Sequence, residues 1–423
     1  MPAAPPDAVL LADSPHAGAA VLGLTLLERG RRVAGRIGAR RVFVVDGAAA
    51  AAALAAWRDE RPDATLVVMR VGDQLVHPPL VEPLLRGTGE RRLAVGPDGA
   101  YAGALWATGD AAREAVAAIA ADPAGGDETI AARWTDAERI PHGDIARHPA
   151  TTPAERRGAA RLLLQLIVKP EDSPISKYLY RPISRPLTRL LVHTPITPNQ
   201  ISYVVCLLGL LGCWFTAQPG QRSLVIGAVL VLAAGFIDGC DGELARLRLA
   251  SSKFGAWLDT VVDELTTTLY FVAIGLHTYQ HRPDDRWIAP SIVVGLACYL
   301  ISVYGIYFFL IVVSKTGNSQ HYVGDLELVG EGEGLALRAR RRRSATPPWA
   351  QKAGAFLLLA VRRDFVNLAA LALAFADGYF VLYLVMLAAG VITAVVVVAE
   401  HLKLRRLLRE VARRGATPRL VSS

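Results

Sequence analysis

Apolar positions follow two different rules along this chain. In the first 160 residues short apolar runs alternate with Ala-rich stretches. Residues 8–12, AVLLA, 41–45, RVFVV, and 65–70, TLVVMR, have the length and content of buried strands. Between the first two, VLGLTLLERGRRVAGRIGA repeats its apolar positions at helical spacing, and a second helix is predicted at 48–60. Strands alternating with helices predict a parallel α/β sheet.

Beyond residue 200 the apolar runs reach the roughly 20 residues that cross a bilayer. Six spans are predicted, at about 200–217, 222–246, 255–277, 287–313, 360–377 and 379–401. The fifth opens on the charged VRRDF (361–365), so a surface helix at 349–361 is the alternative there. Before the first span, residues 176–193 interleave apolar and basic positions. They predict a helix along the membrane surface, bent or interrupted at Pro182 and Pro186. TPITPN (194–199) is a turn and a helix start. The expected organisation is a soluble α/β domain at 1–150 and a linker at 151–175. An all-α polytopic membrane domain at 176–402 and a basic cytoplasmic tail at 403–423 follow.

Charge sharpens this picture. The net charge of +8 sits beside the apolar runs: Lys177, Arg181, Arg185 and Arg189 before the first, Arg338 and Arg340 to Arg343 in one connection, Lys403, Arg405 and Arg406 after the last. That is a positive-inside pattern, with both termini cytoplasmic, and it argues against nucleic acid as a partner. Cys206, Cys213, Cys240 and Cys298 lie in apolar segments without metal or disulfide spacing. The first residues lack the basic start of a secretory signal.

Against that background FIDGCDGELARLRLASSKFGAWLDTVVDE, residues 236–264, stands out. At about 100° per residue Asp238, Asp241, Gly242 and Ala245 share a helical face, with Arg246 at its edge. Asp259 and Asp263 stack one turn apart on the next helix, with Gly255 a turn earlier. Four carboxylates on facing helices need cations, and Arg246, Arg248 and Lys253 are few for that task. Hard divalent ions take oxygen ligands and combine carboxylates with substrate phosphates. Two readings follow from the residues alone: metal-dependent phosphoryl transfer, or an ion or solute transporter using the acidic cluster.

The full pattern, Asp238-x-x-Asp241-Gly242-x-x-Ala245-Arg246, then Gly255-x-x-x-Asp259-x-x-x-Asp263, resembles the signature of the CDP-alcohol phosphotransferase family, matching it at every position. The resemblance implies six transmembrane helices, a homodimer and an active site open to the cytoplasm, in the inner membrane. It implies transfer of a phosphoryl-alcohol group from a CDP-alcohol donor to an acceptor hydroxyl, with release of CMP. By motif position Asp238, Asp241, Asp259 and Asp263 hold two Mg²⁺, replaceable by Mn²⁺, and Asp263 is the catalytic base. Gly242, Ala245, Arg246 and Gly255 receive the CDP donor.

Residues 8–80 resemble a Rossmann-like nucleotidyltransferase, which implies Asp73 as a metal ligand. The loop that holds nucleotide in that family reads ADSPHAGAAV here, with Gly18 its one glycine and no Arg or Lys. A degenerate domain is expected. The order of the two domains resembles bifunctional proteins that make CDP-inositol and then di-inositol phosphate phosphate. That implies an inositol-phosphate-like acceptor, with CDP-inositol or CDP-diacylglycerol as donor and membrane lipids as partners. Lys315, Arg362 and Arg363 are candidates for an acceptor phosphate, or for interfacial snorkelling. The basic run at 338–343 is expected to be topogenic or to touch anionic lipid.

Overall fold

A computed structural model describes residues 5–167, 173–316, 322, 326–331, 334–339, 362–413 and 419–421. The basic residues 340–343 and the alternative surface helix at 349–361 lie outside them. The chain divides into two compact units. The first is Met1–Lys169 with Arg189–Pro195 and Glu243–Ala250; the second is the remainder.

The first unit is built on one sheet. Its strands are β1 (Asp7–Leu11), β2 (Arg41–Val45), β3 (Leu66–Arg70), β4 (Arg91–Val95), β5 (Tyr101–Ala107) and β6 (Glu138–Pro141). Their order is β2-β1-β3-β5-β4-β6. β1 pairs in parallel with β2 and β3, Val9 facing Phe43 and Val68. Alternate β1 residues enter two cores: Val9 and Leu11 pack on one face, Ala8 and Leu10 on the other. Both faces are covered, so these strands read as continuous apolar runs.

The three expected strands pair in parallel, and the sheet becomes mixed at β5, which runs antiparallel to both neighbours. Only residues 96–100 separate it from β4. That is too short for a crossover, and Gly99 turns the chain at φ +76. Helices α1 (Leu26–Arg36), α2 (Ala48–Asp59), α3 (Gly109–Ala121) and α4 (Gly126–Arg133) flank the sheet in sequence. The Thr25 hydroxyl caps α1 by accepting from the Glu28 amide. The expected linker begins as α5 (Pro153–Leu163), opened by a Thr152/Glu155 capping box.

The second unit is helical. A π turn at Ser176–Tyr180 leads into α6 (Arg181–Leu191), which continues through Pro186. There follow α7 (Pro198–Ala217), α8 (Gln221–Leu247), α9 (Lys253–His281), α10 (Ile288–Phe309), α11 (Arg363–Phe375) and α12 (Tyr379–Arg413). A capping box, Thr197 with Gln200, starts α7 with Pro198 in its first turn.

Six spans were expected. Among the described residues four helices are long and apolar enough to cross a membrane: Pro198–Ala217, Gln221–Leu247, Ile288–Ser314 and Tyr379–Arg413. α9 has 29 residues but carries Lys253, Asp259, Asp263 and Glu264. α11 has 13 residues, short of the roughly 20 a span needs. Outward faces are apolar: Trp214 and Val395 are each 65% exposed and Val293 67%. Inside, Phe271 packs between Tyr299 and Tyr383, with ring centroids 5.1 and 5.9 Å away. Gly209 lets α7 approach α9: a Cβ there would stand 2.6 Å from the Thr266 methyl.

Candidate active site

The site grows from two facing helices. α8 supplies Asp238 and Asp241, and α9 supplies Asp259 and Asp263. Ser252 caps α9 by accepting from the Gly255 amide. A Cβ at Gly255 would reach 3.1 Å from Asn199 Oδ1, so the glycine keeps this entry narrow.

Asp238, Asp259 and Asp263 each offer one carboxylate oxygen, all within 4.8 Å of one another. Oxygens about 2.0–2.6 Å from one hard cation cannot lie more than about 5 Å apart. The three groups therefore fit a divalent ion in both donor type and spacing.

The fourth carboxylate is engaged differently. Asp241, 9% exposed, accepts from the Ser202 hydroxyl on α7 at 2.6 Å and from the Gly242 amide. Ser202 was not singled out in the sequence; it ties the second motif aspartate to the preceding helix.

The cluster also has a cation the sequence pattern did not place there. Arg363, first residue of α11, pairs with Asp263 and stands 3.8 Å from Asp238. Its other terminal nitrogen donates to Thr266 Oγ1 at 3.4 Å. Arg246 and Arg248 donate to backbone carbonyls: Arg246 to Leu166 and Ile167 at 2.9 and 3.4 Å, Arg248 to Leu191 and Val192 at 3.0 Å and to Thr194. Ala245 accepts from the Ala250 amide where α8 ends.

Of the other cations proposed for an acceptor phosphate, Lys315 stands at φ +53 where the turn after α10 ends. Arg362 caps α11 and lies 3.5 Å from Asp364. A cavity of about 410 Å³ adjoins the cluster and shares Thr266 and Arg363 with it. Val385, Met386 and Ile392 of α12 form an apolar wall, and Glu264 and Asn367 bring polar groups to it.

Asp73 of the first unit has different company. Arg70 stands 3.8 Å from Asp73 and pairs with Asp127 at 2.5 Å and Glu128 at 2.7 Å. A guanidinium thus stands among the carboxylates around Asp73. In the loop after β1, the amides of Ser14, Ala17 and Ala19 donate to Ala12, Ser14 and His16 carbonyls, and the His16 amide to the Ser14 hydroxyl. Those donors are spent on the loop's own turns.

Comparisons with known proteins meet this geometry at the second unit. The family model described as CDP-alcohol phosphatidyltransferase matches residues 195–396. A "Bifunctional IPC transferase and DIPP synthase" of Aquifex aeolicus is 34% identical over 142 residues, 33% of this chain and 32% of that protein. One of the same description from Thermococcus kodakarensis is 38% identical over 152 residues, 36% of this chain and 33% of that protein. The "CDP-diacylglycerol--inositol 3-phosphatidyltransferase" of Drosophila melanogaster is 29% identical over 128 residues, 30% of this chain and 51% of that protein. The chain spans about a third of the length of the bifunctional relatives. None of these three relatives supports the transporter reading. The motif aspartates Asp238, Asp241, Asp259 and Asp263 all fall inside the matched stretch, and residues 195–396 are a domain of the CDP-alcohol phosphatidyltransferase family.

Proposed function

We propose that the protein is an integral membrane phosphotransferase that moves a phosphoryl-alcohol group from a CDP-alcohol to an acceptor hydroxyl and releases CMP. The observation that carries this reading is the three-carboxylate cluster Asp238, Asp259 and Asp263 inside the matched family domain. Asp238, Asp241, Asp259 and Asp263 would hold two Mg²⁺, or Mn²⁺ in their place. When bound, such ions neutralise the diphosphate and the leaving phosphate.

The remaining chemistry belongs to the chain. Asp263 takes the proton of the acceptor hydroxyl as the new O–P bond forms and the bond to CMP breaks. Gly242, Ala245 and Gly255 leave room for the CDP part, and Arg246 adds positive charge to its diphosphate. Lys315, Arg362 and Arg363 supply cations for an acceptor phosphate. The cavity gives the donor's alcohol room beside Arg363, its apolar wall along α12 suiting CDP-diacylglycerol and its polar Glu264 and Asn367 suiting CDP-inositol. The name of the Drosophila relative favours an inositol-type acceptor, here read as inositol-phosphate-like.

In this reading the six-helix domain is a homodimer in the inner membrane, with both termini cytoplasmic and membrane lipids around it. The first unit is a decayed nucleotidyltransferase domain. Purified protein incubated with Mg²⁺, each CDP-alcohol and a panel of alcohol acceptors should release CMP and yield one phosphodiester, identified by mass. Absence of CMP with every donor removes the reading.

A further inference from the structure

We infer that Arg363 is a resident counter-ion of the carboxylate cluster, which an incoming divalent metal must displace. The inference rests on the metal-dependent reading above and adds how the chain itself regulates metal affinity.

Three observations carry it. Arg363 reaches Asp263 and Asp238, which are two of the three groups spaced for an ion. Those carboxylates come from α8 and α9, whereas Arg363 comes from α11, so the pair is a tertiary contact. The guanidinium is also linked to Thr266 and lines the cavity, so it has a polar seat beside the cluster after leaving the carboxylates.

One guanidinium and a divalent ion cannot both use the Asp263 oxygens at contact distance. Like charges a few ångströms apart in a partly buried site repel. Metal entry must therefore break the Arg363–Asp263 pair and move the side chain. Part of the metal's binding free energy is used in that exchange. The pair keeps the acidic faces together before metal arrives and holds metal affinity below what three carboxylates would otherwise give.

Mn²⁺ titrated into the purified full-length protein, with free Mn²⁺ followed by its electron paramagnetic resonance, tests this directly. Arg363→Gln should bind Mn²⁺ about tenfold more tightly than the parent, the order expected for removing one nearby charge. Arg363→Lys, which keeps the charge, should stay close to the parent. Arg362→Gln removes a neighbouring charge that faces Asp364, and it should change the affinity less than about twofold. The melting temperature gives a second readout: Mn²⁺ should raise it more in Arg363→Gln than in the parent.

Equal or weaker Mn²⁺ binding by Arg363→Gln overturns the inference. With CMP release intact in the parent, only the inference falls. Failure of the parent itself to bind Mn²⁺ removes the metal-dependent reading and the inference with it. If Arg363→Gln does not fold, looser binding in Arg362→Gln by as much as tenfold, or Arg363→Lys binding as tightly as tenfold above the parent, equally overturns it.

Discussion

The motif aspartates of the second unit and Asp73 of the first were both implied as metal ligands by resemblance, and each lies in an acidic cluster with an arginine. In the first unit Arg70 is enclosed by Asp73, Asp127 and Glu128; Asp127 is fully buried and receives two of its nitrogens. In the second unit Arg363 approaches Asp263 and Asp238 while the third carboxylate, Asp259, completes a set spaced for an ion. In the first, the buried Asp127 is the carboxylate paired most closely, while Asp73 and Glu128 are 42% and 64% exposed to solvent. In the second, three carboxylate oxygens lie within 4.8 Å of one another, on helices with small residues at Gly242, Ala245 and Gly255. Residue type alone does not separate a metal cradle from a salt bridge. The convergence of the carboxylate oxygens does.

Mutations at the two clusters should therefore part company. Asp263→Asn is expected to lower CMP release by about 10²–10⁴-fold while the CDP donor still binds, measured as turnover beside equilibrium donor binding. Turnover like the parent's would remove Asp263 as base. Arg70→Met should destabilise the first unit by about 3–5 kcal/mol, because it leaves the buried Asp127 without its ion pair. Denaturant unfolding followed by amide exchange in β3 and β5 reads that loss. A small effect there would mean that Asp127 is neutral or solvated in the fold.

A pH dependence sharpens the comparison further. His77 is 5% exposed; burial, and then the charges of Arg29 and Arg36, push its pKa down from 6.5 to about 4. The folded value lies below the unfolded one, so its stabilising effect is complete above about pH 6.5 and is lost as pH falls towards about 4. The gap between those values is worth about 3 kcal/mol. Amide exchange in the first unit should quicken over that window, and His77→Leu should flatten the dependence. The smallest effect is expected at Asp73, with a side chain 42% exposed. Asp73→Asn should change stability by less than about 0.5 kcal/mol and leave CMP release as it was. A loss of turnover at Asp73 would restore a catalytic role to the first unit.

Much of this was legible in the residues. The strands at 41–45 and 65–70 and the helix at 48–60 are visible as apolar periodicity, and the structure has them within a residue or two. Asp238, Asp241, Asp259 and Asp263 were visible because their spacing is local to two helices. The antiparallel β5 went unread, as its Ala- and Gly-rich strand carries a weak pattern. The shortness of α11 was hidden because VRRDF and the apolar residues after it form one run in sequence. Ser202 went unread, and Arg363 was read only as a candidate for an acceptor phosphate, for a different cause: their partners lie 39 and 100 positions away.

The sequence by itself placed the motif aspartates on single helical faces, because helical periodicity needs no help from the rest of the fold, and the resemblance of that motif to a known family supplied the reaction class to be tested. It also marked the four described helices that are long and apolar enough to cross a membrane. Only the tertiary structure decided which carboxylates meet. Packing of α7 against α9 and α8 turns Asp241 to Ser202 and leaves Asp238, Asp259 and Asp263 together. Only the tertiary structure decided which arginine answers them, since charge acts through distance in space and Arg363 is near the cluster in space alone.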